Sequence, residues 1–84
     1  MVVRKRAGIR RGNGVPLYRQ VYDLLLERIA TGESKPGSKL PTEIDLAKSL
    51  KVSSITCRRA LQELAAEGYI TRTQRRGSIV QPMP

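Results

Sequence analysis

Arg58 and Arg59 stand side by side in a stretch, residues 48–62, that carries four bases (Lys48, Lys51, Arg58, Arg59) and no acid. A second acid-free stretch runs from Gly68 to the end and holds Arg72, Arg75 and Arg76. A guanidinium is a rigid fork of donors that matches phosphate oxygens and the O6/N7 edge of guanine. Grouping such forks where no carboxylate competes is what close approach to a polyanion requires. A solvated charged face would explain either stretch alone, but the two together favour binding. The chain as a whole has 16 Lys and Arg against 7 acids, a net charge of +9. That balance points first to nucleic acid and second to an anionic membrane surface.

Other chemistries lack their residues. There is no His and one Cys, so neither a zinc site of the usual ligand counts nor an internal disulfide can form. The lone Cys suits a reducing cytosol. No metal cluster and no phosphate-cradling Gly loop with Lys-Ser/Thr occurs, so neither an enzyme nor a cofactor is expected. No apolar run approaches the roughly 18 residues of a membrane span. Met1-Val2-Val3-Arg4-Lys5-Arg6 is charged at once and lacks the apolar region of a secretory signal. Eighty-four residues make one domain with a thin core, and with three Tyr and no Phe or Trp that core must be Leu, Ile, Val and Ala.

The elements that would position the bases can be read from periodicity. Residues 1–15 hold Arg4, Lys5, Arg6, Arg10 and Arg11 without an acid or an apolar period, and are read as a flexible basic arm. It either tracks phosphates or a minor groove, or is a solvated tail. Pro16 opens a first helix over residues 17–31, with Leu17, Val21, Leu24, Leu25 and Ile29 on one face. Tyr18 and Tyr22 are expected on its flank, with stacking on single-stranded bases as the sharper alternative. Pro36-Gly37 is a turn, and Leu40 pins the loop, or a very short strand, to the core. Thr42 caps a second helix whose buried face is Leu46, Ala47 and Leu50. Lys51-Val52-Ser53 is a tight turn, and Ser53 caps a third helix with Cys57, Ala60, Leu61, Leu64 and Ala65 inward. Cys57 there reads as core and not as a redox sensor. Gly68 stops that helix. The period then falls to two, giving strands 69–73 and 78–81 around a turn at residues 74–77.

The fold class is therefore mainly α with a small β-hairpin: a winged helix-turn-helix of three helices plus wing, over residues 16–82. In such a fold the second helix of the pair enters the major groove by its N-terminal residues. Residues 53–67 form this recognition helix and residues 69–81 the wing. The candidate contacts on the helix are Ser53, Ser54, Ile55, Thr56, Arg58, Arg59 and Gln62. Thr42 and Lys39 precede them, and Arg72, Gln74, Arg75, Arg76 and Gly77 follow on the wing. Arg58 either meets DNA or pairs with a neighbouring acid. Ile55 either meets a thymine methyl or makes a core or dimer contact. Arg75 and Arg76 either reach phosphates or a minor groove, or form a solvated wing tip.

Several motifs carry a resemblance. They are Pro16-Leu17-Tyr18; Pro36-Gly37-Ser38-Lys39-Leu40-Pro41-Thr42-Glu43; Val52-Ser53; Thr56, Arg58, Ala60-Leu61 and Leu64; Glu67-Gly68-Tyr69-Ile70; and the wing from Gln74 to Val80. Together they resemble the N-terminal domain of GntR-family transcription regulators over residues 16–82. The resemblance implies sequence-specific binding to operator duplex DNA in the bacterial cytoplasm, usually as a homodimer. It also implies a C-terminal effector or dimerisation domain, with residues 83–84 as the start of its linker. The family usually has Arg at the positions of Ile44 and Ser54, both commonly contacting DNA, and Gly at Arg75; no guanine contact carries over to residues 44 or 54. A winged-helix module that binds protein or RNA is the alternative function.

Overall fold

Val21, Leu25 and Ile29 recur along one side of a helix and are buried, and Tyr22 joins them. They belong to α1 (Leu17–Ala30), the first of five elements in the computed structural model, which describes residues 9, 12, 14–73 and 77–82. α2 (Glu43–Leu50) and α3 (Ser54–Ala66) follow, then β1 (Ile70–Thr73) and β2 (Gly77–Val80). The winged helix-turn-helix expected from periodicity is the observed architecture.

Each helix begins and ends for a local reason. The Thr42 Oγ1 accepts the Asp45 N–H at 3.1 Å, and the Ser53 Oγ accepts the Thr56 N–H at 3.1 Å. Each cap satisfies a donor that the first helical turn leaves orphaned. α2 stops at Lys51, which takes a left-handed conformation with φ 58°. A side chain there costs roughly 1–2 kcal/mol relative to glycine, and the three-residue turn between α2 and α3 carries that strain. α3 ends in a Schellman motif. The Gly68 N–H donates to the Ala65 carbonyl at 3.1 Å, the Tyr69 N–H to the Leu64 carbonyl at 3.0 Å, and Gly68 has φ 86°.

The core forms where the faces meet. α3 contributes Cys57, Ala60, Leu61 and Leu64, α2 contributes Leu46, and Ile70 and Val80 close it from the hairpin. Leu40 is buried as expected, and its loop behaves as a third rung. The Gly37 N–H donates to Val80 O (2.8 Å), the Val80 N–H to Ser38 O (2.9 Å) and the Leu40 N–H to Ser78 O (2.9 Å). Lys39 and Ile79 form an antiparallel bridge there. On the other edge β2 pairs antiparallel with β1, from Ile70 opposite Val80 to Thr73 opposite Gly77.

Some expectations need correction. α1 ends at Ala30, with Thr31 as its cap. Leu17 and Leu24 are half-buried, because they flank the arc centred between Val21 and Ile29. Ala47, Leu50 and Ala65 are half-buried too, as α2 and α3 present only part of their apolar stripes to the core. Tyr22 lies in the core and not on the flank, which closes the base-stacking alternative for it. β1 begins one residue later than expected, and β2 begins and ends one residue earlier. Ile9, inside the segment read as a flexible arm, is half-buried against the core. Apolar burial ties the chain down at that residue, and one isolated isoleucine gives no period from which to expect it.

Tyr22 reaches across to α3, where its hydroxyl donates to the Glu67 carboxylate. That hydrogen bond, then burial, pushes the phenol up from 10.0 to about 12. The folded chain thus holds the proton more tightly than the unfolded one. The contribution is complete below pH 10.0 and is lost as pH rises towards about 12. Tyr22→Phe is expected to destabilise by about 1.5 kcal/mol at neutral pH and to flatten part of the alkaline loss, as read from urea midpoints against pH. A wild-type alkaline profile unchanged by the substitution would contradict this assignment.

Candidate nucleic-acid interface

With Cys57, Ala60, Leu61 and Leu64 committed to the core, α3 has a defined outer side. Ile55, Arg58, Arg59 and Gln62 are exposed there, and Ser54 and Thr56 are half-buried. The first turn is internally bonded, since the Ser53 Oγ donates to the Thr56 Oγ1 at 2.9 Å besides capping the helix. Cys57 faces inward, and burial first and the Glu43 charge second push its thiol up. A thiol held protonated is unreactive, in keeping with the core reading.

The two adjacent arginines diverge. Arg59 lies over the Tyr18 ring of α1, 3.9 Å from its centroid, a cation–π contact that holds it on the α1 side. Arg58 turns to the start of α2, where its Nε donates to Glu43 Oε1 at 3.3 Å. Arg72, on β1, donates from Nη2 to Glu43 Oε2 at 2.5 Å. One carboxylate therefore links the recognition helix to the wing. Its side chain is 22% exposed, against 53% for Arg58 and 31% for Arg72. Burial works to raise the Glu43 pKa, but hydrogen bonds from Arg72 and Arg58 outweigh it and hold the carboxyl below its ordinary value.

Glu43 was missed by reasoning from the sequence. An acid in the first turn of a helix is explained locally by the helix dipole. Nothing in spacing ties residue 43 to partners 15 and 29 residues away. The stretch that is acid-free along the chain is not acid-free in space. The acid-pairing alternative for Arg58 is the arrangement of the free protein. A guanidinium has five N–H donors, so one bond to Glu43 leaves it able to take a second acceptor.

The remaining candidates group around the wing. An open cleft of about 230 Å³ separates the start of α2 from the hairpin, and Thr42, Glu43, Ile44, Arg72 and Gly77 line it. Gly77 has φ 77°, and a Cβ there would stand 3.3 Å from the Lys39 Cε. The positive φ favours glycine for the turn into β2, and the Lys39 stem runs close by, beside the wing. The structure thus gathers Lys39, Thr42, Arg58, Arg72 and Gly77 on one flank of the α3 surface, with Arg59 on the other. Gln74, Arg75 and Arg76 lie outside the described residues.

Because Glu43 titrates lower in the folded chain than in the unfolded one, its ion pairs add stability above the unfolded value of 4.5. That stability is lost as pH falls through the lower, folded value. Glu43→Gln is expected to unfold more easily at neutral pH and to show a weaker acid dependence below pH 4.5, measured by urea titration. An acid dependence identical to wild type would show that the pairs contribute nothing.

A family model described as "Bacterial regulatory proteins, gntR family" matches residues 17–80. The chain is 44% identical over 66 residues to the mannosyl-D-glycerate transport/metabolism system repressor MngR of Escherichia coli, covering 79% of this chain and 28% of that repressor. Among solved structures it is similar to YtrA from Sulfolobus acidocaldarius, a GntR-family transcription factor (TM-score 0.83, 38% identity, 90% of this chain and 80% of that one). It is also similar to AraR(DBD) in complex with operator ORE1 (TM-score 0.76, 33% identity, 79% and 80%).

Proposed function

The chain belongs to the gntR family of bacterial regulatory proteins, and from that premise we propose that it is the operator-reading domain of a transcription regulator. The observation that carries this reading is the outer side of α3. It is exposed, bears Arg58, Arg59 and Gln62, and has no acid of its own before Glu63. A similar domain, AraR(DBD), has been solved in complex with an operator, which supports an operator as the partner of this fold.

On this reading α3 enters the major groove by its first turns, and the wing lies on the flanking backbone. Lys39, Thr42, Ser53, Thr56 and the wing residues Arg72, Gln74, Arg75, Arg76 and Gly77 hold phosphates. Ser54, Arg58, Arg59 and Gln62 work at or beside base edges. Phosphate contacts set register and affinity, and the few base contacts set sequence. The full-length regulator acts in the cytoplasm as a homodimer on a two-fold symmetric operator, with effector control in a further domain. The chain spans 28% of the length of MngR, which leaves room for such a domain in a regulator of that size.

The test is selection of sites by the 84-residue chain from a randomised duplex pool. Enrichment of a defined half-site is the expected result. Salt-steep binding that enriches nothing would move the face to a protein- or RNA-interaction role. On the selected site, Arg58→Ala is expected to cost about 1–3 kcal/mol and to relax preference at one position, read by titration against matched and mismatched duplexes. Unchanged affinity and preference would remove Arg58 from the interface. Deleting residues 1–14 is expected to lower the salt slope of log K by about 0.9 for each phosphate that the shortened chain no longer neutralises. An unaltered slope would make the basic segment a bystander.

A further inference from the structure

We propose that Ile44 and Ile55 are specificity-determining residues that read thymine through its 5-methyl group, an inference that rests on the operator reading above. Ile55 is 69% exposed and Ile44 60%. Among the described residues the one other exposed large apolar side chain is Val15, ahead of α1, at 41%. A single exposed isoleucine is ordinary. These two are not scattered: each is the second residue of a helix, Ile44 in α2 and Ile55 in α3. The Glu43–Arg58 ion pair joins the first turn of α2 to the second turn of α3. Ile44 follows Glu43 directly and lines the cleft that Glu43 and Arg72 share, and Ile55 lies one turn before Arg58 on the same helix. Burial of Leu46, Cys57 and Leu61 on the inner sides leaves both isoleucines on the surface that carries Arg58.

Isoleucine neither donates nor accepts a hydrogen bond, so on a base edge it has one attractive partner. Thymine is the base whose major-groove edge carries an apolar group. A β-branched side chain in a helix is also nearly fixed in one χ1 rotamer, so such a contact orders little that was free. Exposure removes the core reading of Ile55. A second copy of this chain is a poorer occupant than DNA, because each copy carries a net charge of +9 and would present Arg58 against its like. The operator is therefore expected to carry a thymine opposite each isoleucine.

The experiment uses the selected duplex and replaces each dT in turn by dU, which removes only the 5-methyl group and keeps the pairing. Wild type is expected to lose affinity about fourfold, the worth of one buried methyl, at one or two positions in a half-site and nowhere else. Ile55→Ala is expected to abolish the penalty at one of these positions and Ile44→Ala at another, with the salt slope unchanged for both. Thermal melting of the free variants checks that each still folds. No dU-sensitive position in wild type overturns the proposal while leaving operator recognition intact. So does a penalty that persists in both variants, or an Ile55→Ala effect that appears as reduced self-association in sedimentation with the dU penalty intact. A pool that yields no site at all overturns the operator reading, and this proposal with it.

Discussion

Cys57, Ala60, Leu61 and Leu64 lie on one side of a single thirteen-residue helix and must bury against α1, α2 and the hairpin together. With no Phe or Trp in the chain, the core is held mostly by aliphatic side chains, joined by Tyr22, that need close approach on all sides. The direction of α3 is therefore fixed by packing before any partner arrives. The same constraint decides what α3 can offer. Once residues 57, 60, 61 and 64 are inward, Ile55, Arg58, Arg59 and Gln62 have no other direction than out. Binding surface and core are two sides of one helix, and a change in its rotation would spoil both.

The wing is oriented by subtler means. β2 is held on one edge by β1 and on the other by residues 37–40, so the hairpin is a small three-rung layer. Val80 and Leu40 fasten its base to the core. Toward its tip the fastening changes from apolar to ionic, with Glu43 taking Arg72 from the strand and Arg58 from the helix. An apolar contact at that level would have consumed surface that the charged face needs. A carboxylate holds the two arginines and removes only part of their charge.

Local physics explains which features were legible. The caps at Thr42 and Ser53, the stop at Gly68 and the inward stripe of α3 each depend on residues within one or two turns, and their spacing shows them. Leu40 was legible because it is the one large apolar residue in a polar loop. Tyr22 was not, since its buried hydroxyl finds its hydrogen-bond acceptor in Glu67, 45 residues away. Glu43 was hidden for the same reason: its partners converge only when α2, α3 and β1 are packed. The divergence of Arg58 and Arg59 also needed the fold, because only tertiary packing puts Tyr18 beneath one and Glu43 beside the other. Periodicity locates a face, but the counter-charges on that face come from elsewhere in the chain.

The two bonds of Glu43 are unequal, and the inequality suits a surface that meets a polyanion. Arg72 is the more buried partner and makes the shorter bond, at 2.5 Å against 3.3 Å for Arg58. Exposed ion pairs are weak, at most about 1 kcal/mol, and are easily exchanged. Pairs with less water around them are harder to break, because a stripped charge is left behind. On the proposed operator reading, an approaching phosphate or base edge competes with Glu43 on favourable terms for Arg58, whereas Arg72 keeps its bond to Glu43 and offers a phosphate its remaining N–H donors. Arg58 can leave Glu43, or add a second acceptor, while the carboxylate stays neutralised by Arg72. On that reading the wing keeps its anchor while Arg58 is released, so the two arginines that share one acid differ in how readily they let it go.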